Sequence, residues 1–360
     1  MVDSRRIIYP ELDSVRGLAF LVVLIGHILS NNKTIYPYLV GVPKMGVWMF
    51  FVLSSFLLSN YFLSMPERTF HFIEWGNYFI RRFMRIYPLY AIVLVLYSFF
   101  LIDFRSISVI VDSLLLKKGL AHFWTIPVEF KFYLILPFFV LLIVRIFRMK
   151  ILIVLIFMTV FTIIHQMVYP FTKAVESSTR LIQYLPVFLF GCVGSLIHQK
   201  IKNIKIHRNL TLLFNLMSIL IIVGLILITP YPMEKFFGHK PDKYLVNKFI
   251  FIGFACTTLI LSILHGSWLK KILTHNSIRF FGKISYSGYC IHWLIIHIII
   301  IKLFGKLTFI SGMLTFLLSI TFAIVLYHLV EKPCMKISIF TIIKIIGNNA
   351  FYRIYSGRKL

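Results

Sequence analysis

An all-α protein that crosses a bilayer about ten times is the fold this sequence predicts, on three observations. Of its 360 residues, 59% are hydrophobic and only 14% charged, far too apolar for a soluble domain of that length. Apolar runs of about 20 residues, enough helix to span ~30 Å of hydrocarbon, recur along almost the whole chain. The basic excess, 38 Lys and Arg against 12 Asp and Glu, falls in the short segments between those runs. A basic stripe interleaved with exposed aromatics, the mark of nucleic-acid binding, is not present.

Breakers between the runs place ten predicted spans at 12–29, 46–63, 86–102, 129–144, 151–169, 181–198, 210–229, 245–265, 285–304 and 309–329. Lys and Arg are retained on the cytoplasmic side, and counted on alternate sides they divide about 23 to about 12 in favour of the side carrying the N-terminus. Both termini are therefore expected in the cytoplasm. The first run carries Arg16 and leads straight into further spans, so no cleavable leader is expected. A transmembrane domain at 1–335 is followed by a basic tail at 336–360, where Phe340, Ile343 and Ile346 alternate with Lys336 and Lys344. That pattern suits an amphipathic helix lying on the inner leaflet.

The four cysteines stand singly in or beside apolar runs, which argues against a disulfide framework. No histidine has metal-ligand spacing with Cys or carboxylates, so no metal is expected. Gly-rich phosphate loops, Gly-x-Ser-x-Gly and paired glycosidase-like carboxylates are missing, which excludes soluble ATPases and hydrolases.

Ionisable groups inside a span are costly and by default face a protein interior or a wet cavity. The first span holds two. Arg16 and His27 are eleven residues apart, which brings them within about 20° of one helix face and separates them by roughly 16 Å along the axis. Arg16 then lies near the cytoplasmic end and His27 near the outer end, on one wall of a path between leaflets. Alternatively, Arg16 snorkels to headgroups and His27 is interfacial. Arg81, Arg82 and Arg85 open the predicted third span on the cytoplasmic side, where a helix N-terminus favours phosphate. They suit a polyphosphate nucleotide or an anchor to anionic lipid. Glu129 opens the fourth span after Trp124 and Pro127, on the side of His27. It either orients that imidazole or the acceptor, or serves as a helix cap or ion-pair partner. Lys131, two residues on, does not share its face.

Leu12-Asp13-Ser14-Val15-Arg16-Gly17-Leu18-Ala19 running on to His27 resembles the opening of the acyltransferase-3 family of membrane O-acyltransferases. Similar matches follow in family order. They are Phe50 to Leu58, Arg81 to Pro88, Trp124 to Glu129 with Phe132 and Tyr133, Gly282 to Ser287 with His292 and Trp293, and Val330 to Pro333. Ser55 stands where the family usually has glycine, and Phe130 and Lys131 replace its usual polar pair.

The resemblance implies transfer of an acyl group, foremost acetyl, from cytoplasmic acyl-CoA to a hydroxyl of an envelope polysaccharide or lipid-linked glycan such as lipopolysaccharide O-antigen. The enzyme would sit in the cytoplasmic (inner) membrane with no tightly bound cofactor. His27 would serve as base or transient acyl carrier, since an imidazole titrates near neutrality. Arg16 would steady the donor and Glu129 would position the histidine or the acceptor. Arg81, Arg82, Arg85, Ser54, Tyr286 and His292 are expected at the donor, with Trp124 and Tyr133 at the acceptor. Tyr286 and Trp293 also fit plain packing or interface roles. Some relatives append an extracellular hydrolase-like domain, for which no room is expected after Leu329. The rival class is a transporter or flippase of lipid-linked glycans, which predicts a repeat between halves that the sequence does not display. A catalytically dead scaffold is the third reading.

Overall fold

A computed structural model describes residues 9–204, 207–239 and 243–337. The expected tail helix falls almost wholly beyond Ile337, outside the described residues. Among the described residues every regular element is helical. Ten long helices among the described residues build the domain, with shorter helical segments between them: α1 (Pro10–Leu29), α2 (Val42–Leu63), α3 (Phe72–Phe100), α4 (Thr125–Leu141), α5 (Ile151–Val168), α6 (Leu181–Ile201), α7 (Arg208–Leu227), α8 (Phe249–His265), α9 (Asn276–Ile296) and α10 (Phe309–Leu326). Nine are long and apolar enough to cross a membrane, some extended by adjoining turns, and α8 is a shorter apolar helix. The prediction of about ten membrane-crossing helices holds on this count.

α2 and the span built on α9 form the centre, 78% and 72% buried, whereas α7 at 11% sits on the rim with its Leu, Ile and Val side chains turned outward. α1 packs against α9 and α2, α2 against α6, and α6 against α8. Small residues permit these approaches. Helices in a bilayer gain little from hydrophobic burial against one another and rely on close van der Waals contact. A Cβ on Gly17 would lie 2.7 Å from the backbone nitrogen of Gly282, so α1 and α9 touch backbone to backbone. α2 and α6 meet at Gly191, where an added Cβ would strike Ser55 Oγ and come 2.5 Å from the carbonyl of Val52. Beside that crossing, Phe51, Phe188 and Phe132 stack in series at 4.5 and 4.2 Å, tying α2, α6 and α4 together.

Ser55, the departure from the family pattern, is therefore a packing residue. It is fully buried and bonds back to the carbonyls of Phe51 and Val52 at 3.0 Å, and Gly191 leaves it room. Gly191→Leu is expected to destabilise the bundle by about 1–3 kcal/mol or more, because backbone cannot yield as a flexible side chain can. A fall in the thermal unfolding midpoint of detergent-solubilised protein would register it, and an unchanged midpoint would contradict this crossing.

Several predicted boundaries move, with consequences for the site. α3 begins at Phe72, not near residue 86, so Arg81 lies about 13 Å inside the helix rather than at its amide-rich end. The expected contribution of helix N-terminal amides to phosphate binding at the arginines is thus removed. α4 begins at Thr125, following a short 3-10 turn, and places Glu129 one turn inside rather than at the mouth. α9 likewise starts at Asn276 instead of 285. The unrecognised stretches carry charged, small or proline residues that lower their hydropathy; Asn77, Thr125 and Gly282 within them are buried against protein, whereas Asn276, Ser277 and Lys283 are exposed.

Candidate active site

α1, α2, α3, α4 and α9 enclose a cavity of about 430 Å³ that runs from Tyr9, Ser64 and Met335 at one face to Phe50, Thr125 and Tyr289 at its inner end. Tyr9 precedes α1 and Met335 follows the last turn of the span begun by α10, so both ends of the described chain lie on one face. Six cationic side chains line the cavity, Arg16, Arg68, Arg81, Arg82, Arg85 and Lys283, against the three carboxylates Asp13, Glu129 and Glu331. The excess of three positive charges, six minus three, sits between low-dielectric walls, where it attracts anions far more strongly than on an open surface.

The carboxylates are held individually. Glu129 accepts a hydrogen bond from Ser54 Oγ at 3.0 Å, linking α4 to α2. Glu331, 1% exposed, accepts from Ser287 Oγ at 2.6 Å and is turned inward by a π-helical turn, Tyr327–Glu331, that continues α10. Such turns insert one extra residue per loop and re-aim a side chain. Arg85 acts electrostatically on both Glu129 and Glu331, and Arg16 does so more weakly. Arg16 itself pairs with Asp13 one turn earlier at 3.7 Å.

Beyond the inner end lies a second group of polar residues. Tyr289 donates its hydroxyl to the carbonyl of His122 at 2.6 Å, lies 3.0 Å from Thr125 Oγ1, and packs 6.3 Å from Phe50. Its ring is 5.7 Å from that of His292, one turn further along α9. His292 is completely buried. Its Nε2 lies 2.9 Å from His27 Nδ1 and its Nδ1 lies 2.8 Å from the carbonyl of Tyr289. The ring of His122 stands 4.8 Å from that of His292, and Trp293 meets His27 edge-on at 5.2 Å. No group of three or more His, Cys, Asp or Glu among the described residues is arranged to hold a metal ion.

Of the residues singled out from sequence, Arg16, Ser54, Arg81, Arg82, Arg85, Glu129, Tyr133 and Tyr286 line the one cavity. Tyr286 also braces it, donating to the carbonyl of Ile86 at 2.7 Å. Three fall elsewhere. His27 is on the far side of Tyr289 and pairs with His292; the expected pairing with Glu129 is absent, because Glu129 sits deeper and bonds Ser54. His292 has both ring nitrogens engaged behind the cavity wall, which leaves it no free group for a donor. Trp124 is 4% exposed, packed between Tyr184 and Phe51, so its face is not open to a sugar. Lys131 donates to the carbonyl of Thr179 at 2.8 Å, clear of Glu129.

Sequence reasoning passed over Tyr289, Lys283, Arg68 and His122 as site residues, and quoted Glu331 only as part of a motif. Tyr289 could have been found from its spacing, three residues from both Tyr286 and His292 on one helix face. Arg68 and His122 carried no local signal, since each reaches the group through a connecting segment.

A family model described as an acyltransferase domain matches residues 9–328. The chain is 26% identical over 330 residues to a peptidoglycan O-acetyltransferase of Listeria monocytogenes serovar 1/2a, covering 80% of this chain and 49% of the relative. It is 22% identical over 362 residues to a protein of Staphylococcus aureus strain COL named as a candidate O-acetyltransferase, covering 91% of this chain and 57% of the relative. The chain thus spans about half the length of these curated relatives. No solved structure matches it.

Proposed function

The chain belongs to the acyltransferase family that this domain defines, and we propose on that premise that it is a membrane O-acetyltransferase moving acetyl from cytoplasmic acetyl-CoA to a hydroxyl of an envelope glycan. The observation that carries the reading is the cationic cavity, which opens on the face richer in Lys and Arg and ends one aromatic ring short of a histidine pair. Coenzyme A presents several phosphates on a long, narrow pantetheine arm. Side chains of Arg81, Arg82 and Arg85 would hold the phosphates by charge-assisted hydrogen bonds, as arginine forks do. Arg16, deeper on the same wall, would meet the arm, and the thioester would reach His27 when the contact of Tyr289 with Phe50 parts.

His27 would then take the proton of the acceptor hydroxyl as its oxygen attacks the thioester carbonyl. The carbon–sulfur bond breaks, and the departing thiolate recovers that proton from the imidazolium. Glu129 on this geometry tunes the arginines and the donor rather than His27. Peptidoglycan is named as the acceptor of the Listeria relative, which makes it the first acceptor to assay, ahead of lipopolysaccharide O-antigen. The enzyme would reside in the cytoplasmic membrane with both termini inside.

Membranes containing the chain and supplied with labelled acetyl-CoA are expected to label envelope glycan with base-labile acetate. Correctly inserted protein that leaves the glycan unlabelled while its loss impairs glycan export would instead establish the transporter reading.

A further inference from the structure

The histidine pair beyond the cavity fixes more than a position. A carbonyl oxygen can only accept, so the 2.8 Å contact between His292 Nδ1 and the carbonyl of Tyr289 places a proton on that nitrogen. A neutral imidazole carries one proton, and Nε2 of His292 is therefore left as an acceptor. Its neighbour at 2.9 Å is His27 Nδ1, which must then be the donor. The two rings are nearly coplanar, 9° apart, with centroids 5.2 Å from each other. Coplanar rings joined edge to edge by one N–H···N bond have this spacing, whereas face stacking would bring the centroids closer.

From this chain of bonds we propose that His292 is a positioning residue that locks His27 in the tautomer protonated at Nδ1, so that its Nε2 presents the lone pair for the reaction. The inference rests on the reading of His27 as the base. The device is the one a catalytic triad builds with a carboxylate; here a second imidazole, itself oriented by a backbone carbonyl, takes the carboxylate's place. An imidazole suits this site because His292 is wholly buried, and a fixed negative charge there would need desolvation. The backbone carbonyl of Tyr289 cannot be lost to mutation, and α9 holds it one turn before His292 in a helix that packs directly on α1. The orientation of His27 is thereby tied to the most extensive helix contact among the described residues. Trp293 also packs on His27, edge-on at 5.2 Å, and restricts its ring.

Two measurements on the purified full chain in lipid nanodiscs test this. Carbon-13 and nitrogen-15 shifts of labelled histidine distinguish the two neutral tautomers, and the His27 signal is assigned by its loss in His27→Gln. His27 is expected to carry its proton on Nδ1 in the wild type. His292→Leu is expected to release that preference and to lower kcat for acetyl transfer by about 10²-fold or more, with KM for acetyl-CoA unchanged. His292→Gln, whose amide oxygen reaches the place of Nε2 and accepts from His27, is expected to regain at least tenfold over His292→Leu. A wild-type His27 protonated on Nε2 would overturn the proposal, as would His292→Leu that keeps both tautomer and kcat. Should the wild type transfer no acetyl yet show the Nδ1 proton and its loss in His292→Leu, the positioning stands and the functional reading of His27 falls.

Discussion

His27→Ala is expected to lower acetyl transfer by about 10²–10⁴-fold, the usual contribution of a general base. The protein should still insert and should still bind acetyl-CoA. His27 lies beyond Tyr289 and outside the cavity lining, so the donor loses no contact to it before transfer. Its side chain is only partly buried near the end of α1, next to a helix end already closed by Ser30 and Asn31. Truncation there removes the functional group and leaves the buried His292 Nε2 without its partner, at a cost of about 1–3 kcal/mol, while the helix-end bonds of Ser30 and Asn31 stay in place. Equal donor affinity by isothermal titration, with label incorporation reduced to background, is the pattern that checks it. Retained incorporation would remove His27 from the chemistry and return attention to the cavity carboxylates.

The second large effect is expected from Arg85→Ala. This arginine lines the cavity with Glu129 and Glu331, acts electrostatically on both, and contributes to the excess of positive charge there. A hydrogen bond from a charged donor contributes about 1.5–3 kcal/mol, so KM for acetyl-CoA should rise roughly 10- to 100-fold. The loss also leaves two buried carboxylates with less compensating charge, and Arg85→Lys is the control that keeps the charge while removing the planar fork. Arg85→Lys should recover part of the affinity. A dephospho-coenzyme donor, which lacks the 3′-phosphate, should lose affinity in the wild type. If the same loss appears unreduced in Arg85→Ala, the 3′-phosphate rests on Arg81, Arg82 or Arg68 instead. An unchanged KM in Arg85→Ala would leave this arginine with a purely structural role as counter-ion.

Much of the architecture is legible in composition, because a bilayer forces its chain into helices. An unpaired backbone amide in hydrocarbon costs several kcal/mol, so each long apolar run has one available form. The number of spans and the placement of ionisable Arg16 on an apolar helix follow from that constraint, and the uneven distribution of Lys and Arg separately distinguishes the two faces. The short motifs at Arg16 to His27, Arg81 to Pro88 and Trp124 to Glu129 carry the resemblance to the acyltransferase family in the sequence itself. What hydropathy could not supply was the start of α3, α4 and α9. There charged and small residues lower the hydropathy, although some of them, such as Asn77, Thr125 and Gly282, are buried against protein, and a scale that measures affinity for lipid reads the stretch as loop.

Partnerships across helices were the part that no local pattern contained. Glu129 was expected with His27 because both fall toward the same side, yet depth and azimuth are set by packing, and the close crossings at Gly17 and Gly191 fix them. The Gly17 crossing brings His292 to His27 across 265 positions of sequence, while the packing of α4 on α2 and of the turn after α10 on α9 brings Ser54 to Glu129 and Ser287 to Glu331. The sequence by itself determined a polytopic helical acyltransferase-family protein with arginines on its more basic face and a histidine at the far end of the first helix. Only the tertiary structure decided which carboxylates stand among the arginines and which imidazole meets His27. A span's direction follows from its own residues' affinity for water and lipid, whereas its rotation against its neighbours follows from contacts with residues far away in the chain.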